Sequence, residues 1–134
     1  MIVVDTNVIA YLLLGGEHTP RSRRVFQKDP AWVAPLLWRS EFRSILRSYM
    51  QQGSLALADS IQLMQSAEML FRGTEYSVDS SQVLALVAAS RCSAYDCEFV
   101  ALARDLGVPL VTSDNQILTE FSPPAVSLET FASR

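Results

Sequence analysis

The sequence predicts an α/β protein, a three-layer sandwich in which helices flank a central parallel sheet of about five strands. Three observations carry that expectation. Short β-branched runs alternate with longer segments of helical periodicity, glycine and proline breaks separate them, and no repeat, low-complexity tract or linker interrupts the alternation. At 134 residues, 49% of them hydrophobic, the chain suits one domain over 1–134 with a single core. A disordered chain is excluded.

Ile2-Val3-Val4 is the first strand, ending at Asp5, and Thr6 to Leu14 is a short apolar helix closed by Gly15-Gly16. Thr19-Pro20 reads as an N-cap followed by proline at the first helical position, opening a helix to about Lys28. Asp29-Pro30 breaks it and Trp32-Val33-Ala34 forms the second strand. A third helix spans about Leu36 to Gln52, with Phe42, Ile45, Leu46 and Tyr49 as its buried stripe and Gly53 as its stop. A helix from Leu55 to Phe71 follows, closed by Gly73, and Tyr76-Ser77-Val78 is the third strand. Asp79 caps a helix through about Ala89. Ser93 and Asp96 have capping-box spacing, and Tyr95, Phe99, Leu102 and Leu106 line the helix that runs up to Gly107. Pro109-Leu110-Val111-Thr112 and Ala125-Val126-Ser127-Leu128 are the last two strands.

Charge and cysteine usage narrow the function classes. A net charge of -3 and a pI near 5.0 give no bulk attraction to nucleic acid, so a polyanionic substrate must be held by local cations or bound metal. Two basic patches exist: Arg21, Arg23, Arg24 and Lys28, and the i, i+4, i+8 stripe of Arg39, Arg43 and Arg47, each of which also reads as a solvated helix face. Cys92 and Cys97 match neither a redox Cys-x-x-Cys nor a zinc knuckle and are expected to be reduced thiols. With no basic leader before the first strand and no apolar run approaching the roughly 20 residues of a membrane span, a cytoplasmic protein is expected.

Function is written in four carboxylates. Asp5 follows the first strand and Asp114 the fourth, and in open parallel sheets ligands bind beyond the carboxyl ends of the strands. Glu41 and Asp96 lie near the starts of helices that leave the same rim. At 100° per residue Glu41 sits about a quarter-turn from its helix's buried stripe, with the three arginines on the opposite flank and poorly placed to neutralise it. Each acid alone has a plain alternative: a surface glutamate for Glu41, a capping box for Asp96, an Asx turn for Asp114, a helix cap for Asp5. Together they raise one another's pKa unless a cation holds them. All are hard oxygen donors, and the only histidine, His18, lies in a glycine loop with no orienting partner, so Mg²⁺ or Mn²⁺ is the expected ion and phosphodiester hydrolysis the expected reaction.

Four segments carry a resemblance: Ile2-Val3-Val4-Asp5-Thr6-Asn7; Leu37-Trp38-Arg39-Ser40-Glu41-Phe42; Ser93-Ala94-Tyr95-Asp96-Cys97-Glu98-Phe99-Val100-Ala101-Leu102-Ala103; and Leu110-Val111-Thr112-Ser113-Asp114. In this order and spacing, over nearly the whole chain, the protein resembles PIN-domain ribonucleases, most closely the VapC toxins of toxin-antitoxin pairs. The resemblance implies a catalytic and metal-binding site of Asp5, Glu41, Asp96 and Asp114, supported by Asn7, Thr112 and Ser113. It also implies an RNA substrate, a homodimer and an antitoxin whose basic tail enters the acidic pocket. The chain departs from relatives after Glu41, where Phe42-Arg43-Ser44 replaces the small or amide residues often found there. Two other readings fit the residues less well: a non-catalytic PIN-like module that binds RNA or protein, against which the intact quartet argues, and a Mg²⁺-dependent phosphatase. The latter wants Asp-x-Asp and a lysine after a late strand, whereas this chain has Asp5-Thr6-Asn7 and Lys28 as its sole lysine.

Overall fold

The computed structural model describes all residues from Met1 to Arg134. Five strands, β1 (Ile2–Val4), β2 (Trp32–Pro35), β3 (Glu75–Tyr76), β4 (Leu110–Val111) and β5 (Ala125–Val126), form one sheet in the order β3-β2-β1-β4-β5 with every pairing parallel. Eight helices connect and flank them: α1 (Thr6–Leu14), α2 (Thr19–Lys28), α3 (Trp38–Gln51), α4 (Leu57–Leu70), α5 (Ser80–Ala88), α6 (Ala94–Leu106), α7 (Asn115–Glu120) and α8 (Leu128–Ser133).

Strand order decides where the site falls. The chain steps from β1 outward through β2 to β3, then returns to the other side of β1 for β4 and β5. Right-handed crossovers taken in opposite directions put their helices on opposite faces. Thus α1 to α4 pack on one another, while α6 lies across β1, β2 and β4. The reversal between β1 and β4 opens a crevice at their carboxyl ends. β1 is fully buried there, with Val3 facing Val33 on one side and Leu110 on the other. A strand covered on both faces has to be continuously apolar, which Ile2-Val3-Val4 is.

Local chemistry sets the helices. The Ser93 hydroxyl accepts the Asp96 N–H at 3.1 Å to start α6, and Gly107, at φ 66°, closes it in the left-handed region that glycine enters freely. Asp79 caps α5 through the Gln82 N–H as expected. α7 and α8, by contrast, are not predicted by the sequence, which suggests at most an Asx turn at Asp114 and carries the last strand on to Leu128, where α8 begins. Each is six residues long, too short for periodicity, yet each carries its own cap: Asp114 accepts the Ile117 N–H, and the Ser127 hydroxyl accepts the Thr130 N–H.

Other departures have physical causes. His18, rather than Thr19, precedes the first turn of α2, because the Thr19 hydroxyl donates to the Tyr11 carbonyl at 2.5 Å instead of capping. Tyr49 and Tyr95 are exposed, and Trp38, left out of the expected stripe, is fully buried beside Phe42 and Phe71. β3 is Glu75–Tyr76, one residue earlier than the sequence suggests and without Ser77-Val78, and the Glu75 carboxylate is held from two sides. It accepts the Trp38 indole N–H at 2.7 Å and both Nε and Nη2 of Arg39 at 2.6 and 2.8 Å, while Arg39 also reaches Glu68 at 2.8 Å. Arg39 therefore belongs to the fold, and of the predicted stripe only Arg43 and Arg47 stand free. The Arg39 guanidinium and Trp38 hold the Glu75 carboxyl below the ordinary glutamate range.

This network gives a graded expectation. Glu75→Ala strands a buried indole N–H and a half-exposed guanidinium, so it should cost about 2–3 kcal/mol in urea unfolding. Glu68→Ala, which removes one bond from a side chain 36% exposed, should cost no more than about 1 kcal/mol. Equal losses in the two variants would contradict the assignment of Glu75 as the anchor of β3 to α3.

Candidate active site

A cleft of about 450 Å³ opens at the crevice between β1 and β4. Asp5, Glu41, Asp96 and Asp114 all line it, so residues separated by up to 109 positions meet at one rim. Eleven residues form the lining and none is lysine, arginine or histidine. No cation of the chain therefore offsets the four acids at close range.

Each acid is positioned by a different element. Asp5 ends β1 and is 8% exposed; its Oδ2 accepts the hydroxyl of buried Thr112 at 2.7 Å, and its own N–H donates to the Val111 carbonyl at 3.1 Å. Thr112 in turn accepts the Asp114 N–H at 3.0 Å, so one hydroxyl ties the ends of the two central strands together. Asp114 spends one oxygen on the cap of α7. Glu41, in the first turn of α3, is partly buried and accepts the Thr6 hydroxyl at 2.7 Å through Oε1, leaving Oε2 without a partner in the chain. Asp96 sits in the first turn of α6, where its backbone N–H is capped by Ser93 and its carboxylate faces the cleft.

The acids feel one another. Burial pushes the Asp5 carboxyl up, opposed by the Thr112 hydroxyl and the Thr6 backbone, and the charges of Asp96 and Asp114 push it further. Glu41 is raised by burial first, against its Thr6 bond, and then by Asp5, Asp96 and Glu98. Asp96 is raised by burial and by Asp114. Glu98 is raised by burial. Like charges so arranged destabilise the ionised cluster, which is the electrostatic setting a divalent cation relieves.

The donor set suits a hard ion, since it consists of carboxylates with hydroxyls behind them. No group of three or more acidic, histidine or cysteine side chains is arranged to hold a metal directly as the side chains stand. That spacing is compatible with Mg²⁺, which keeps several waters and takes only one or two carboxylates directly.

The remaining candidates are placed less uniformly. Asn7 is exposed and lines the cleft; Thr112 lies behind Asp5; Ser113 turns away, its hydroxyl 3.2 Å from the Tyr11 hydroxyl, into a neighbouring cleft. Sequence reasoning gave no role of its own to Thr6, which orients Glu41, or to Ser40 and Ser44, which line the acid cleft, and it set Tyr95 on the apolar stripe of its helix, whereas Tyr95 is exposed and lines that cleft. Ser40 and Ser44 are four apart on the face of α3 that carries Glu41, so helical spacing held the signal. Cys92 and Cys97 are free and buried, and burial pushes the Cys92 thiol up to about 11, which leaves it unreactive. No helix is long and apolar enough to cross a membrane.

Comparison with known proteins agrees with this architecture. The sequence model of the PIN domain matches residues 2–121. No curated protein sequence matches the chain. Among solved structures, PAE2754 from Pyrobaculum aerophilum superposes with a TM-score of 0.78 at 18% identity, over 99% of this chain and 94% of that one. A toxin-antitoxin complex from Klebsiella pneumoniae gives a TM-score of 0.67 at 14% identity, over 96% of this chain and 98% of that one. At such identities these two likenesses speak to the fold alone.

The raised acids make a stability prediction with a definite sign. A carboxyl whose folded pKa lies above its unfolded value destabilises the fold when ionised, and relief grows as pH falls through the folded pKa, complete below the unfolded value of about 4. Glu75, lowered, works the other way, but only below that range. The metal-free protein should therefore gain thermal stability as pH falls from neutrality toward the ordinary carboxylate range. Asp5→Asn and Asp114→Asn should melt at or above the wild-type temperature at pH 7, and Asp5→Asn should show the shallower pH dependence. A marked drop in the metal-free melting temperature of both variants would mean that the carboxylates are structural.

Proposed function

The chain belongs to the PIN-domain family, a nuclease superfamily, and from that premise we propose that it is a Mg²⁺- or Mn²⁺-dependent endoribonuclease, the toxin of a toxin-antitoxin pair. The observation that carries the proposal is the cleft in which four carboxylates meet with no cationic side chain in the lining. Asp5, Glu41, Asp96 and Asp114 would hold the metal. When bound, it would supply Lewis acidity toward a phosphate oxygen and a lowered pKa for the attacking water.

The chain's own groups divide the remaining work. Thr112 holds Asp5 and Thr6 holds Glu41 in fixed rotamers, so the acids meet the substrate preorganised. Glu41 Oε2, without a partner, is free to accept the proton of the attacking water. The water oxygen forms the new bond to phosphorus as the bond to the leaving ribose oxygen breaks, and that oxygen takes a proton from solvent at the open mouth of the cleft. Exposed Arg43 and Arg47, on the helix that carries Glu41, supply local positive charge for the RNA strand that the net charge of -3 does not.

The toxin reading has its own support. The Klebsiella pneumoniae structure of similar fold is a toxin-antitoxin complex. An acidic, uncompensated cleft is also where a basic antitoxin tail would bind, and a homodimer and a cytoplasmic location go with this reading.

Cleavage of RNA should require Mg²⁺ or Mn²⁺ and stop in excess chelator. Asp5→Asn and Asp114→Asn should each lower the rate by more than the roughly 100-fold typical of losing a supporting residue. Induced expression should arrest growth, and Asp5→Asn should abolish the arrest. RNA cleavage at full rate in excess chelator would overturn the metal requirement, and a wild-type protein that cleaves no RNA would favour a non-catalytic module.

A further inference from the structure

Beside the acid cleft lies a second one of about 330 Å³, lined among others by Tyr11, His18, Arg21, Thr112, Ser113 and Asn115. The two linings have no residue in common, but Ser113 and Asn115 of the second flank Asp114 of the first. Thr112, whose hydroxyl joins Asp5 to Asp114, lines the second cleft, and the Tyr11 to Ser113 contact at 3.2 Å marks its border with the segment that leads to Asp114.

The chemistry of the second cleft is unlike that of the first. Gly15 and Gly16, at φ 78° and 117°, turn the chain after α1 so that the His18 ring comes back over Tyr11, with centroids 4.6 Å apart and planes 32° from parallel. The His18 side chain remains 41% exposed, so part of the imidazole is open. Arg21, one turn on, is loosely held: its contact with His18 Nδ1 is 3.5 Å, and its ion pair with Glu129 at 3.0 Å joins side chains 46% and 65% exposed. Such a pair contributes little and exchanges readily for another anion. An aromatic pair, a guanidinium held only by the exposed Glu129 carboxylate of the same cleft and the amide of Asn115 are the group types that read unstacked bases in single-stranded RNA.

We propose that the cleft of Tyr11, His18 and Arg21 is a subsite for single-stranded RNA, in which a nucleobase next to the cut stacks on the Tyr11–His18 pair while Arg21 takes the adjoining phosphate. The proposal rests on the ribonuclease reading and adds to it where base preference resides. A structural account of the same residues, in which the stack only fastens the glycine loop, predicts no dependence on the base.

The test is binding of a labelled, mixed-sequence single-stranded RNA oligonucleotide, compared with an abasic ribose-phosphate oligonucleotide of equal length, read by fluorescence anisotropy. All proteins carry Asp114→Asn so that cleavage does not consume the probe. The protein with His18 and Arg21 intact should prefer RNA over its abasic counterpart. His18→Ala should weaken RNA binding by about 5-fold to 150-fold, the range of one lost stack, with little change for the abasic strand. His18→Phe, which restores an aromatic face, should recover most of the loss, and Arg21→Ala should weaken both probes. Equal affinity of the parent for the two probes, or a His18→Ala effect that is absent or equal on both, overturns the subsite. Cleavage by the unsubstituted protein with Mn²⁺ is scored separately: no cleavage with base-dependent binding intact refutes the nuclease reading alone, and cleavage without base-dependent binding refutes the subsite alone.

Discussion

One hydrogen bond organises the site: the Thr112 hydroxyl donating to Asp5 Oδ2 at 2.7 Å while accepting the Asp114 N–H. It exists because β1 and β4 pair in parallel with Val4 opposite Val111, which brings the residues after each strand level with one another at the crevice. Asp5 is 8% exposed, and a carboxylate so buried is costly unless it is hydrogen-bonded or neutralised. The hydroxyl meets part of that cost, and an acid left partly uncompensated at the end of the central strand is the feature from which the metal reading follows. Every other element serves this junction. α3 and α6 bring Glu41 and Asp96 to it, and the Glu75, Trp38 and Arg39 network fixes the start of α3 on the sheet.

Much of this was legible in the sequence because it was encoded in strong local signals. β-branched triplets, Gly53, Gly107 and the caps at Asp79 and Ser93 define the elements, and an alternating α/β chain leaves few topologies, so the placement of Asp5 and Asp114 at one rim follows from strand ends alone. What was not legible depends on partners distant in sequence. The role of Arg39 is set by Glu75, 36 residues away, and helical spacing alone made it look free for a ligand. The fastening of Glu41 by Thr6 crosses 35 residues. α7 and α8 were missed because six residues give a periodicity argument too little to work on, and Ser127, an N-cap, reads equally well as a polar position in a strand.

The charge distribution bears on how an acidic chain could take the polyanionic substrate proposed for it. Two of its basic side chains are committed to the fold: Lys28 donates to the carbonyls of Phe131 and Arg134 at the end of α8, and Arg39 is bound on two sides. Arg43 and Arg47 are exposed on the helix of Glu41, and Arg21 lines the aromatic cleft. On the proposed ribonuclease reading, RNA would engage through metal and a small number of contacts, with modest affinity and with selectivity set by the groups around the acids.

The central claim is that the four acids form one cation site. It is tested most directly by anomalous diffraction from crystals soaked in Mn²⁺ at a concentration that supports cleavage. The account predicts a peak inside the cleft, coordinated by at least one of Asp5, Asp96 and Asp114, with the other acids bound directly or through water. Clear density for the four side chains with no anomalous peak among them, at a Mn²⁺ concentration at which the protein is active, would contradict it.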